Sequence, residues 1–270
     1  MLLVQHKRKP IPLSELKRLQ LSILDAIDGF CSQNGIRYYL AHGTLLGAIR
    51  HDGYIPWDDD IDIWMPRPDY DRFMGSFKSE RAPWLRPIDF KHDPAYRLPF
   101  GKVHDIRTVM DEELYDENGY GVFVDIFPLD GFSGTHQINK GRFLRTLLNV
   151  KRSRWSPARS FAKNIAMSVA RLLLFWLSVG SVLRKLDSNA RAKPYDGAES
   201  VIVATIVDID KAVFPAAAFS SSSRHVFEGR FLPVPIDWDA ILRALFGDYM
   251  TPPPPDKRTS THLSTAYWRE

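Results

Sequence analysis

From Ile55 to Ile63 the chain reads Ile-Pro-Trp-Asp-Asp-Asp-Ile-Asp-Ile. Adjacent aspartates repel one another, and aspartate is a poor strand former, so such a run needs something to offset its cost. In an extended strand the side chains at i and i+2 share a face. Asp60 and Asp62 then point one way while Ile61 and Ile63 enter the core. Two carboxylates set like this can hold one hard divalent cation. Mg²⁺ is the expected ion, with Mn²⁺ the alternative, because Mg²⁺ takes oxygen ligands at about 2.1 Å and keeps positions for water and substrate phosphates. It would also stabilise charge developing on a transferred phosphoryl group. Turn capping explains Asp58 or Asp59 well, but it explains the Asp-Ile-Asp-Ile alternation poorly.

Two further features extend this chemistry. Gly43-Thr44 lies upstream, in a segment that reads as strand, tight turn and helix. The backbone N–H groups of a helix N-terminus form an anion site, and glycine lets a phosphate approach. Asp125 sits inside Val122-Phe123-Val124-Asp125-Ile126-Phe127. An acid in so apolar a strand is costly unless paired or metal-bound. It can complete the metal site, serve as general base for an acceptor hydroxyl, or simply bond to backbone.

The elements that must position these groups follow from periodicity. Leu16, Leu19, Ile23, Ile27 and Phe30 predict a helix capped by Ser14 and stopped at Asn34-Gly35. Strands are expected at 36–41, 59–64, 98–105 and 121–127. A short helix is expected over 45–50, and another starting near Pro68. From 141 to 186 the pattern turns helical. Ile165 to Leu183 is mostly apolar, but Arg171 near its middle and basic flanks argue against a membrane span. A buried helix and a helix lying on a membrane surface are the two readings. Phe227-Glu228-Gly229-Arg230 reads as a hairpin. Trp238 to Phe246 reads as a helix with Asp237 as N-cap and Gly247 as stop. Pro252 to Pro255 must be extended.

Composition bounds the rest. The chain has 270 residues, 44% hydrophobic and 25% charged, so it is an ordinary globular protein able to bury a core. The single cysteine, Cys31, excludes an internal disulfide and a Cys-based zinc site, and its position suits a small core residue. The net charge of +4 is unevenly spread. Lys140, Arg142, Arg145, Lys151, Arg152, Arg154, Arg159 and Lys163 fall in one stretch without an acid. That stretch suits anionic partners or is a solvated helix face. The N-terminus lacks the long apolar run of a secretory signal.

The stretch YYLAHGTLLGAIRHDGYIPWDDDIDIWMPRPDYDRF closely resembles the signature of the LicD family, which includes bacterial phosphocholine transferases and fukutin-related proteins. GVFVDIFPLDGF, and LFGDYMTPPP followed by His262, match it in order. The resemblance implies an α+β fold: a nucleotidyltransferase-like mixed sheet flanked by helices, with a helical insertion. The expected division is a catalytic core over 14–135, an insertion over 136–190 that can face a membrane, and a C-terminal segment over 191–270 packing on the core. The implied activity moves a phospho-alcohol such as phosphocholine from a CDP-linked donor to a hydroxyl of a cell-surface or lipid-linked glycan. Gly43-Thr44, Asp60, Asp62 and Asp125 fit the glycine turn and three acids of that fold, and His42 stands where a second small residue is common.

Supporting residues are Arg50 and His51, placed to meet donor phosphates, and Lys102, a phosphate partner or an exposed strand residue. Trp57 can stack on a base, cover a trimethylammonium group or pack in the core. His262 can assist acid–base chemistry. No nucleic-acid partner is expected, and the expected location is cytoplasmic, at the inner face of the membrane. Two other readings compete. A nucleotidyltransferase would move the nucleotide itself, and a degenerate binding module would have lost its acids.

Overall fold

A computed structural model describes residues 9–112, 119–153, 155, 160–205, 211–258 and 264–269. Helix α1 (Leu13–Asn34) buries Leu16, Ile23, Leu24, Ile27 and Cys31 along one stripe. It begins one residue before Ser14, after Pro12, with no side-chain cap. It ends at Gly35, whose φ of 59° only glycine adopts without cost. Strand β1 (Tyr39–Leu40) is much shorter than the expected 36–41. Helix α2 (His42–His51) follows at once, so His42-Gly43-Thr44 is the helix's own first turn and not a separate tight turn.

Strand β2 (Asp62–Pro66) and helix α3 (Arg67–Ser76) come next, with proline in the first turn of α3. Then come β3 (Leu85–Ile88), β4 (Gly101–Asp105), β5 (Thr108–Glu112) and β6 (Phe123–Gly131). Three helices follow: α4 (Thr135–Arg152), α5 (Phe161–Leu173) and α6 (Val179–Ala190). The chain closes with β7 (Ser200–Ile202), β8 (Val213–Pro215), β9 (Ser222–Phe227), β10 (Arg230–Pro235), α7 (Trp238–Phe246) and β11 (Ser264–Trp268).

The fold is α+β. The main sheet runs β1-β2-β6-β4-β3, and the far end of β6 continues through β7 to β8. Among the described residues only β2 and β6 pair in parallel; the other pairs of this sheet are antiparallel. Two ribbons, β9–β10 and β5–β11, complete it. Ile61, Ile63, Trp64, Val124 and Ile126 are fully buried at the centre of the sheet.

The β9–β10 hairpin turns at Glu228 (φ 50°) and Gly229 (φ 76°), a two-residue turn whose positive φ values match strand twist. Helix α7 has the expected ends: the Asp237 side chain accepts from the Ala240 N–H, and Gly247 follows at φ 69°. Of the proline run 252–255, the last residue opens a 3₁₀ turn, Pro255–Lys257, so it is not extended.

Residues 165–183 are not one helix. α5 ends at Leu173 and α6 begins at Val179. No helix among the described residues is long and apolar enough to cross a membrane. The buried-helix reading is overturned: of the α5 side chains only Asn164 is buried. α4, α6 and Leu177 of the turn before α6 make a small core of their own from Leu144, Leu148, Leu177, Val182, Leu183 and Leu186. Ion pairs tie this unit to the sheet. Arg67 grips Asp130 through two 2.6 Å bonds and reaches Asp187 at 3.3 Å. Arg191 joins Asp187 (2.9 Å) to Asp71 (2.6 Å). Bidentate pairs of this kind set geometry more than they add stability.

Candidate active site

Asp62 opens β2, and Asp125 faces it in register on β6. The Asp125 N–H donates to the Ile61 carbonyl at 2.9 Å, so the parallel pairing reaches one residue upstream of β2. Ile61 and Ile63 are fully buried, as the alternation requires. Asp60 lies just outside the regular strand, half-buried.

The start of α2 packs directly on this edge. The Asp62 N–H donates to Thr44 Oγ1 (2.9 Å), and the Ala41 N–H donates to the Asp62 carbonyl (3.0 Å). His42 Nδ1 stands 3.3 Å from Asp62 Oδ2. The ring is wedged edge-on against Trp64 (5.0 Å) and Phe127 (4.9 Å). His42 carries φ of 43°, a left-handed backbone that costs a non-glycine residue about 1–2 kcal/mol. Such strain persists only where the surroundings enforce it. Burial pushes the His42 pKa down to about 4, against the pull of Asp60 and Asp125, so the imidazole is neutral at physiological pH. Gly43 is needed for space: a β-carbon there would stand 2.7 Å from Asp58 Oδ2. The Asp58 carboxylate therefore lies over the first turn of α2, where the helix dipole favours negative charge.

Lys102 pairs with Asp125 both in backbone register and through its side chain, with Nζ 2.8 Å from Oδ1. It is buried, not an exposed strand residue, and its ammonium lies 3.1 Å from the Phe123 ring centroid. Burial raises the Asp125 pKa to about 7. Lys102 opposes that rise, while Asp62 and Asp60 add to it. Asp60 and Asp62 thus both act on Asp125, although among the described residues no three His, Cys, Asp or Glu side chains are already drawn into a metal cage.

The other predicted residues form a second group at the far end of α2. Arg50 Nε donates to His51 Nε2 (2.9 Å), and Arg50 Nη1 donates to the Tyr249 carbonyl (2.5 Å). His51 meets Trp57 edge-on at 6.5 Å. Trp57 is half-buried, and the Arg258 guanidinium lies 5.4 Å from its ring centroid. The C-terminal motif is therefore folded back onto the N-terminal one. His262 lies outside the described residues.

Sequence reasoning missed several residues. Gln20 is buried on α1; its Nε2 donates to the Asp59 carbonyl (2.9 Å), and its Oε1 accepts from the Tyr54 hydroxyl (3.0 Å). It holds the acidic loop in place, and a glutamine set between Leu19 and Leu21 on a helix was the signal for it. Glu228 accepts from the Tyr54 N–H at 3.2 Å and fills the space over Gly53. Arg258, after the prolines, gave no signal beyond its charge.

Residues 35–161 match the family described as LicD/FKTN/FKRP, nucleotidyltransferase domain. Over those residues the chain carries a LicD-family domain. Among characterised proteins it is 28% identical to the lipopolysaccharide cholinephosphotransferase LicD of Haemophilus influenzae, over 96% of this chain and 99% of that protein. It is 35% identical to an uncharacterised protein of Rickettsia typhi, over 47% of this chain and 46% of the other. A shorter stretch, 19% of this chain and 9% of the relative, is 43% identical to the human ribitol 5-phosphate transferase FKRP.

Proposed function

We propose that this LicD-family phosphotransferase moves a phospho-alcohol, such as phosphocholine, from a CDP-linked donor to a hydroxyl of a cell-surface glycan, on a nucleotidyltransferase-like core. The relatives' names support the enzyme class and a glycan acceptor. The observation that carries the reading is the in-register pair Asp62 and Asp125, set beside the first turn of α2 and balanced by Lys102.

The chemistry divides among these residues. The first-turn N–H groups of α2 suit a diphosphate, whose oxygens would take the place of the Asp58 carboxylate over Gly43. Asp125, with a proton affinity near neutrality, takes the acceptor's hydroxyl proton. The acceptor oxygen then attacks the phosphorus bearing the alcohol; that O–P bond forms as the diphosphate bridge breaks, and CMP departs. His42 holds Asp62 in orientation through Nδ1.

An all-oxygen donor set in which Asp60 and Asp62 hold the Asp125 pKa up fits a hard divalent cation. Asp60 and Asp62 would hold Mg²⁺ or Mn²⁺, and Asp125 would adjoin it. Bound there, the ion supplies positive charge for the donor phosphates. We place the work in the cytoplasm, beside the membrane face where lipid-linked glycans are built.

The test is incubation with choline-labelled CDP-choline, Mg²⁺ and acceptor glycan. Labelled glycan with released CMP is expected. A CMP-modified acceptor would replace this reading with nucleotidyl transfer. One substitution probes the phosphate cradle. In Gly43→Ala the new methyl pushes the Asp58 carboxylate aside, and alanine's helix propensity offsets part of that cost, so the stability change stays under about 1 kcal/mol. The same methyl crowds the first turn, so KM for the donor should rise about tenfold. Steady-state kinetics beside a thermal melt checks both halves.

A further inference from the structure

Helix α5 packs the wrong way round for a protein in water. Its inward edge is Asn164, Met167 and Ala170, buried or half-buried. Its apolar residues face out: Phe161 (70% exposed), Ile165 (43%), Val169 (50%), Leu172 (71%) and Leu173 (70%). At helical periodicity these five share roughly a third of the circumference. The turn after the helix adds Phe175 and Trp176, 79% and 68% exposed. Scattered exposed apolar residues are normal, but a contiguous face of this size marks an interaction surface.

Charge selects the partner. Between Asp130 and Asp187 the chain has eleven Lys and Arg and no Asp or Glu. Part of that charge lines a surface cleft of about 640 Å³ between α4 and α6, with Lys140, Arg184, Lys185, Ser181 and Ser188 on its walls beside Phe143 and Leu144. The cleft offers cations and hydroxyls to a phosphate, and the neighbouring helix offers apolar side chains. The α5 end is tied to α4 by the Lys151 ammonium on the Leu174 carbonyl (3.0 Å), so both belong to one helical unit. An apolar face with aromatic residues, carried on a stretch of chain rich in cations and free of acids, has the chemistry of a helix lying in the plane of a bilayer surface.

We propose that α4–α6 is a membrane-docking unit for anionic phospholipid bilayers. The α5 face enters the headgroup–acyl boundary, and the Lys140–Arg184–Lys185 cleft takes a lipid phosphate. The unit grips from one side only and does not span. This assignment stands apart from the transfer chemistry, since none of its residues belongs to the candidate active site.

Vesicle co-sedimentation of the full chain tests it. Wild type should pellet with phosphatidylcholine–phosphatidylglycerol vesicles and far less with phosphatidylcholine alone. Leu172→Ser with Trp176→Ser should lower partitioning at least about tenfold. Arg184→Ser with Lys185→Ser should lower it about fivefold per charge removed, and only on anionic vesicles. All four substituted side chains are exposed, so circular dichroism should stay unchanged. Failure of wild type to pellet with anionic vesicles would overturn the proposal. So would a dimer in sedimentation equilibrium that the apolar variant converts to monomer, because the face would then join two copies of the chain.

Discussion

Asp62→Asn should abolish measurable transfer while the protein stays folded. The substitution keeps the side chain's shape, and the Asp62 backbone keeps its bonds to Thr44 and Ala41. His42 Nδ1 keeps an oxygen to face. What disappears is one negative charge at the edge of β2. Removing a preorganised electrostatic group from such a site costs about 10²–10³-fold in turnover, and loss of a cation ligand adds to that. Stability should move the other way. Asp62 is one cause of the raised Asp125 pKa, so its neutralisation relieves repulsion and holds or raises the melting temperature. A second readout separates a metal role from mere packing. Mg²⁺ should raise the wild-type melting temperature and leave the variant's unchanged. Full activity in the variant would sink the assignment of Asp62.

The apolar half of Asp-Ile-Asp-Ile was legible because a strand's two-residue period puts Ile61 and Ile63 on one side, and both are buried as that period demands, although β2 itself begins only at Asp62. Asp125 was legible for a related reason: a lone acid in an apolar strand asks for a partner, and Lys102 is one. The pairing itself was not legible, since cross-strand register depends on which strands become neighbours. The same limit hid β5 and β11, whose partners lie far apart in sequence. At His42 the reading failed for a local reason. His42-Gly43-Thr44 reads as a tight turn because it contains glycine; in the structure it is the first turn of α2, and His42 takes the positive φ, held by Trp64, Phe127 and Asp62. For α5, the apolar run over 165–183 gave neither the break after Leu173 nor which side of the helix faces out.

Lys102→Met should give a destabilisation that depends on pH, and that dependence distinguishes a charge partner from packing. Lys102 and Asp125 are side by side in the sheet, 5% and 12% exposed, with 2.8 Å between charged atoms. Breaking a buried pair by removing one partner costs about 3–5 kcal/mol, because the remaining charge is left without compensation. Here the remaining charge also faces Asp62 and Asp60. In the wild type without metal, Asp125 has a folded pKa near 7, above its ordinary carboxylate value. The folded state therefore binds more proton than the unfolded chain between about pH 4 and 7, and stability from this group falls as pH rises through that window. Methionine removes the one opposing cation, so the folded pKa climbs further and the window extends upward. At pH 5 Asp125 is protonated with or without Lys102, and the variant should lose little. At pH 8 the full penalty should appear. Urea unfolding at both pH values measures the difference directly. Adding Asp125→Asn to Lys102→Met should restore most of the stability at pH 8 without restoring transfer, because the general base is then gone. Equal losses at pH 5 and pH 8 would mean that Lys102 serves only to fill space between Phe100 and Phe123, and the proton-accepting role of Asp125 would lose its electrostatic support.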